Sequence, residues 1–130
     1  MIKNSKILVT GGAGFIGSTL TNALLKNENQ VIVIDDLSMG DFANLDDSAN
    51  LTKIKGSITD KVLLKQIFAK NDFEYICHLG AVASVADSVA RPYETHQVNF
   101  DSTMTMLEIL RENKKSLKRF VFSSSAAVYG

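Results

Sequence analysis

Two groups of residues in this 130-residue chain have types and spacings that could do chemistry. The first is the string Thr10-Gly11-Gly12-Ala13-Gly14-Phe15-Ile16-Gly17, which lies between a short apolar β run and a helical pattern. In that position a glycine lets the chain reverse, Gly14 lets the backbone approach a pyrophosphate, and Gly17 lets the helix pack on the strand. The free N–H groups and the positive helix end then face the anion. The second is Asp35, about twenty residues further on, where a carboxylate accepts hydrogen bonds from ribose hydroxyls and repels a 2′-phosphate. The nearest basic residues in sequence are Lys26 and Lys53, so the pair of signals reads as a dinucleotide site for NAD rather than NADP. A bare glycine triplet is more often only a tight turn. Here strand, helix, second strand and acidic residue follow in order, and that order favours the ligand-binding reading.

The elements that must position these groups can be read from periodicity. Ile7 to Thr10 is a continuously apolar β run, and a helix reads from Gly14 to Lys26 with Phe15, Leu20, Ala23 and Leu24 on its apolar side. Gln30 to Ile34 is a second β-branched run of the kind buried on both faces of a parallel sheet. Residues 37–50 read as a polar surface loop with a helical turn, and Leu51 to Lys55 as a weaker third strand. A helix over Lys61 to Lys70 follows, capped by Thr59 or Asp60, with Val62, Leu63, Ile67 and Phe68 on one side. Tyr75 to Leu79 is the fourth strand, Ser84 to Ala90 a short helix, Tyr93 to Asn113 a long helix, and Lys118 to Ser123 the fifth strand. Strands alternating with helices predict an α/β fold with a doubly wound parallel sheet in the order 3-2-1-4-5. An apolar fifth strand at the edge invites pairing, so the chain is expected to be the front part of something longer.

Composition removes several function classes. Fourteen basic and fourteen acidic residues give zero formal charge, so no net field draws the chain to nucleic acid or anionic lipid. The single cysteine, Cys77, excludes an intrachain disulfide and fits a reducing compartment, and the lack of Cys/His clusters argues against a metal site. No stretch approaches the roughly twenty apolar residues of a membrane span, and a cytoplasmic protein is expected. His78 and Cys77 sit in an apolar strand without sequence partners and read as a satisfied buried histidine and a core thiol. His96 reads as part of a solvated helix face. Met104, Met106, Leu107, Ile109 and Leu110 crowd the long helix on more than one side, which predicts a second buried face on it.

The glycine string and the segment Phe122 to Gly130 (Phe-Ser-Ser-Ser-Ala-Ala-Val-Tyr-Gly) bracket His78-Leu79-Gly80-Ala81, Ser88 to Pro92 and Val98-Asn99. In that order they resemble the extended short-chain dehydrogenase/reductase family, in particular its nucleotide-sugar 4-epimerases of the UDP-glucose 4-epimerase type, over the whole chain. The resemblance implies that residues 1–130 are an NAD-binding Rossmann domain, with the substrate domain lying outside them. It implies hydride removal from C4 of a nucleotide sugar, a transient 4-keto sugar, and return of the hydride to its other face.

By the same resemblance Gly11, Gly14, Phe15, Ile16 and Gly17 meet the pyrophosphate and Asp35 the ribose. Ser57 and Ile58 flank the adenine, Leu79, Gly80 and Ala81 line the adenosine half, and Asn99 reaches toward the cofactor. Ser125 is the catalytic hydroxyl that bonds the reacting oxygen. The family's base, a tyrosine in a Tyr-x-x-x-Lys motif, has no counterpart in residues 1–130, so the chain alone is expected to bind NAD without turnover. Tyr129 belongs to the serine motif and is expected to pack at the end of the fifth strand.

Three positions depart from the family pattern: Ser57 where aspartate is common, Gly80 where alanine is usual, and Ala83 where some epimerases carry lysine. Ala126-Ala127 stands where sugar 4,6-dehydratases place Asp-Glu, so within the resemblance an epimerase is preferred; a related nucleotide-sugar dehydratase, decarboxylase or reductase, and a non-catalytic dinucleotide-binding module, are the alternatives. It also implies self-association through the long helix.

Overall fold

The computed structural model of the protein describes residues 1–113 and 116–130. Five strands form one sheet in the order β3-β2-β1-β4-β5, every neighbouring pair parallel. They are β1 (Lys6–Thr10), β2 (Gln30–Asp35), β3 (Leu51–Lys55), β4 (Tyr75–His78) and β5 (Arg119–Phe122). The helices are α1 (Phe15–Lys26), α2 (Lys61–Lys70), α3 (Val85–Ala90), α4 (Pro92–His96) and α5 (Ser102–Asn113). This is the predicted doubly wound α/β architecture.

The sheet is a partition between two cores. Leu8, Ile32, Ile34 and Ile76 point to one face, where Leu64, Ile67 and Phe68 of α2 and Met106, Ile109 and Leu110 of α5 cover them. Ile7, Val9, Val31 and Val33 point to the other face and meet Leu24 of α1 and Leu45. Successive side chains of β1 and β2 therefore go to opposite cores, which is why these strands read as continuous apolar runs rather than alternating ones. The two sheet edges differ. β3 exposes Thr52, Lys53 and Lys55, a charged edge that discourages pairing, whereas β5 leaves Val121 and Phe122 about half exposed.

Three helices depart from the periodicity reading. α1 packs through Gly17, Ser18, Thr21 and Leu24, while Phe15 is 91% exposed and Ala23 also faces outward. Small residues let the helix axis approach the sheet, so the bulky Phe15 is left at the helix mouth. In α2 the fully buried residue is Leu64, and Val62 is exposed; Asp60 caps the helix by accepting Leu63 N–H at 3.0 Å. The long helix begins at Pro92, whose preset φ and missing N–H suit the first helical position, and it contains a π-helical stretch over Gln97–Asp101 before α5.

Short segments are tied down by side chains. Asn29 is fully buried; its Oδ1 accepts Ser5 N–H at 3.1 Å and its Nδ2 donates to Ile2 O at 3.0 Å and Leu24 O at 2.9 Å. That one amide anchors the N-terminal segment against the end of α1. The polar loop after β2 contains a 3-10 turn over Phe42–Asn44, as the sequence predicted. Tyr129 is 91% exposed and does not pack at the end of β5, because it lies on a terminal 3-10 turn that no other element covers. Among the described residues, no helix is long and apolar enough to cross a membrane.

Candidate functional site

Because all five strands are parallel, their C-terminal ends emerge along one edge of the sheet. The chain runs leftward from β1 through β2 to β3, then crosses to β4 on the other side, so the ends of β1 and β4 form the switch point where such sheets bind ligands. A cleft of about 170 Å³ lies there. Of the residues singled out in the sequence, Gly11, Gly14 and Asp35 line it. Ser57 and Ile58, after β3, and Leu79, Gly80 and Ala81, after β4, line it as well.

The glycine turn is built by steric necessity. Gly11 has φ +68°, and a Cβ there would stand 2.8 Å from Gly80 N. At Gly17 a Cβ would fall 2.1 Å from Gly11 O, so helix and turn can meet only if that residue is glycine. Gly14 is different. A Cβ there would touch nothing closer than Gly11 O at 3.5 Å, so the fold itself does not demand a glycine. The space in front of Gly14 is what a ligand's phosphate would use. α1 begins at this point without a side-chain cap and without an acidic residue in its first turn, which leaves its N–H groups and positive end directed outward. Phe15 and Ile16 turn their side chains to solvent and offer backbone groups only.

Asp35 is a strut as well as a potential ribose acceptor. Its Oδ2 accepts Ala13 N–H and its Oδ1 accepts Leu37 N–H, both at 2.9 Å. The loop that follows clasps the glycine turn from outside: Asp41 N–H and Asn44 Nδ2 both donate to Ala13 O at 3.1 Å. Ser38, Met39 and Gly40 of this loop also line the cleft, as do Val82 and Val98. Sequence reasoning treated residues 37–50 as solvated surface and missed them; the available signal was Gly40, where a Cβ would come within 2.6 Å of Ala13 C.

Asn99 does not point into the cleft. Its Oδ1 accepts Val82 N–H at 2.8 Å and its Nδ2 donates to Val82 O at 2.9 Å, so its amide is spent holding the loop after β4. Ser57 Oγ is 2.7 Å from Thr59 Oγ1. Gly80 is tight where alanine is the family's usual residue, since a Cβ would stand 3.1 Å from Ile58 Cδ1. Ser125 is exposed beyond β5, outside the lining of the cleft, and its Oγ accepts Ala127 N–H at 3.1 Å.

His78 is a satisfied buried residue, bonded to Thr10 and Thr103, and burial lowers its pKa to about 4. Burial likewise raises the pKa of the half-buried Cys77 thiol, which disfavours the reactive thiolate. His96 is exposed and stacks on Phe100 with ring centroids 5.0 Å apart. Among the described residues, no group of three or more His, Cys, Asp or Glu is placed to hold a metal ion.

Fold and cleft together define a Rossmann-like parallel α/β protein with a glycine-rich turn lining the cleft at its switch point. A family model described as GDP-mannose 4,6 dehydratase matches residues 8–130, and the chain belongs to that family. It is 41% identical over 124 residues to a UDP-glucose 4-epimerase of Halalkalibacterium halodurans, covering 95% of this chain and 36% of that protein. A Haemophilus influenzae UDP-glucose 4-epimerase is 36% identical, and the chain covers 38% of it. The chain thus spans well under half the length of these curated relatives.

Among solved structures, the UDP-N-acetylglucosamine 4-epimerase from Methanobrevibacter ruminantium in complex with UDP-N-acetylmuramic acid superposes with a TM-score of 0.88 at 41% identity, covering 99% of this chain and 40% of that one. Bordetella bronchiseptica WbmF in complex with NAD+ has a TM-score of 0.86 at 33% identity, covering 95% of this chain and 37% of that one.

Two measurements follow from this geometry. Gly14→Ala should melt within a few degrees of the parent yet lose affinity for a pyrophosphate-bearing ligand, whereas Gly17→Ala should lower the melting temperature sharply; thermal scans with ligand titration separate the two. For His78 the unfolded ring, with its ordinary pKa near 6.5, takes up a proton before the folded one does. The stability it contributes is therefore present above pH 6.5 and is lost as pH falls toward 4, by roughly 2–3 kcal/mol. Urea unfolding from pH 7 to 4 should show that extra loss in the parent and not in His78→Asn.

Proposed function

We propose that residues 1–130 are the NAD-binding domain of a nucleotide-sugar 4-epimerase, with the substrate domain outside them. The observation that carries the first part is the open space at Gly14, placed beside an uncapped helix end and within one cleft with Asp35. Family membership and the NAD+ complex of a similar chain support it. In this reading the backbone of residues 11–17 binds the pyrophosphate and Asp35 accepts the adenosine ribose hydroxyls. Each Asp35 oxygen already receives one N–H, and a carboxylate has about four lone-pair sites, so room remains for both hydroxyls.

Ser57, Ile58 and Leu79 to Ala81 enclose the adenosine. The Asp35 charge and the absence of a lysine or arginine from residues 27–52 disfavour a 2′-phosphate. When bound, NAD supplies reversible hydride exchange at C4 of the sugar. Ser125 holds the reacting sugar oxygen with the hydroxyl proton left over after its Oγ accepts Ala127 N–H.

The epimerase reading, rather than a dehydratase one, rests on Ala126-Ala127: both residues are exposed on the 3-10 turn after Ser125, and neither can serve as the acid or base that removal of water needs. The curated relatives named above point the same way. The base that would deprotonate the sugar hydroxyl is not supplied by residues 1–130, which contain no Tyr-x-x-x-Lys. A cytoplasmic location and a nucleotide-sugar substrate belong to the same proposal. So does self-association: Tyr93, Phe100, Met104 and Leu107 are between 41% and 73% exposed along α4 to α5, an apolar face that a second copy would cover.

Calorimetric titration of the chain should show NAD binding, weaker NADP binding, and about 10- to 100-fold weaker NAD binding in Asp35→Ala, the range for a lost charged hydrogen bond. No NAD binding would overturn the assignment. Sedimentation equilibrium should show a dimer or larger assembly that Leu107→Glu dissociates; a monomer at high concentration would remove self-association through this face.

A further inference from the structure

Thr10 Oγ1 sits at the end of β1, immediately before the glycine turn, and three atoms converge on it. Leu79 N–H and Gly80 N–H donate to it at 3.1 and 3.0 Å, and His78 Nδ1 lies 2.6 Å away. A hydroxyl has two lone pairs and one proton. Gly80 N–H takes one lone pair and Leu79 N–H, which it shares with Thr10 O at 3.1 Å, takes the other; the buried hydroxyl proton has His78 Nδ1 as its acceptor, so the bond to His78 is donated by Thr10. His78 Nδ1 is then an acceptor without a proton, and the ring proton stands on Nε2, where it donates to Thr103 Oγ1 at 2.8 Å. The proton positions on Thr10 and on His78 follow from that arrangement.

We infer that His78, as its Nε2–H tautomer, is a positioning residue for the cleft: by accepting the Thr10 proton it keeps both Thr10 lone pairs turned to Leu79 and Gly80, and so holds the cleft wall that those residues form. The inverse arrangement shows why. With a proton on Nδ1, Thr10 Oγ1 would have to accept from His78 as well as from the two amides, Leu79 N–H would be left with Thr10 O alone, and the buried Thr10 hydroxyl proton would lose its acceptor. Thr10 is fully buried and His78 is 2% exposed, so water does not substitute freely for a lost partner. The wall matters because Gly11, at its strained φ, rests directly against Gly80. Thr103 lies on α5 and Asn99 on the π-helical stretch before it, so one long helix holds the loop at two points, Gly80 through His78 and Val82 through Asn99.

The affinity arm of the test rests on the dinucleotide reading given above; the other two arms do not. Nitrogen-15 spectra of the histidine rings should show His78 protonated at Nε2 and bare at Nδ1 at pH 7. In His78→Leu the acceptor is gone, and amide exchange at Gly80 should accelerate about tenfold while exchange at Val33, in the middle of β2, is unchanged. NAD affinity should fall by about the same factor. His78→Asn places an acceptor oxygen near the Nδ1 position and should restore both Gly80 protection and affinity. An Nδ1-protonated ring, unchanged Gly80 exchange in His78→Leu, or equal loss at Gly80 and Val33 without rescue by asparagine would each overturn the positioning role. Failure of the parent chain to bind NAD would overturn the dinucleotide reading alone, and the tautomer and Gly80 exchange would still decide this one.

Discussion

The close approach of two backbone turns is the constraint on which the rest of the molecule depends. The turn after β1 reverses at Gly11 with a positive φ, and its outer surface lies against the turn after β4 at Gly80. Nothing larger than a hydrogen fits between them. The same turn receives α1 on its inner side, where Gly17 meets Gly11 O. Strand, turn, helix and neighbouring strand are therefore locked at one spot by excluded volume rather than by a strong bond. The cleft is the space left over on the solvent side of that contact.

Polar side chains then keep the contact in place. Thr10 and His78 fasten the β4 turn, Asp35 fastens Ala13 and Leu37, and Asn44 reaches back to Ala13 from the loop beyond. None of these groups is left buried and unpaired, which a cleft wall can tolerate only at a cost of about 1–3 kcal/mol for each orphaned atom. Asp35 combines two demands. It braces the glycine turn while retaining lone pairs for a ligand, so the fold and the candidate ribose contact draw on one carboxylate.

The outer surfaces are uneven in a way that the core is not. β1 and β2 are covered on both faces, yet β5 exposes Val121 and Phe122 at a sheet edge, and the helices from Pro92 to Asn113 expose an apolar row on the side away from the sheet. The sequence predicted a second buried face on this helix from its crowding with Met and Leu. Of the five residues that carried that expectation, Met106, Ile109 and Leu110 are covered and Met104 and Leu107 are not, because one helix packing on a sheet can bury only one stripe. The remaining apolar residues, Tyr93, Phe100, Met104 and Leu107, stay exposed.

Much of this was legible without coordinates. β-branched runs at Ile7 to Thr10 and Gln30 to Ile34, the glycine string between them and Asp35 after them specified parallel strands, a glycine turn from strand to helix and a carboxylate at the end of β2, because period and turn chemistry are local properties. Which side of α1 would be buried was not local: the sheet selected Gly17, Ser18 and Thr21 over Phe15, since closeness of approach outweighed the hydrophobicity of one ring. The roles of Asn99 and His78 were likewise out of reach. An amide that clamps Val82 and an imidazole that accepts the proton of Thr10 acquire those functions only when segments 17 to 70 residues apart are brought within about 3 Å. Sequence by itself determined the strand order, the cradle and the candidate ribose contact; tertiary structure decided which polar groups hold the cradle open, because hydrogen-bond partners are set by proximity in space.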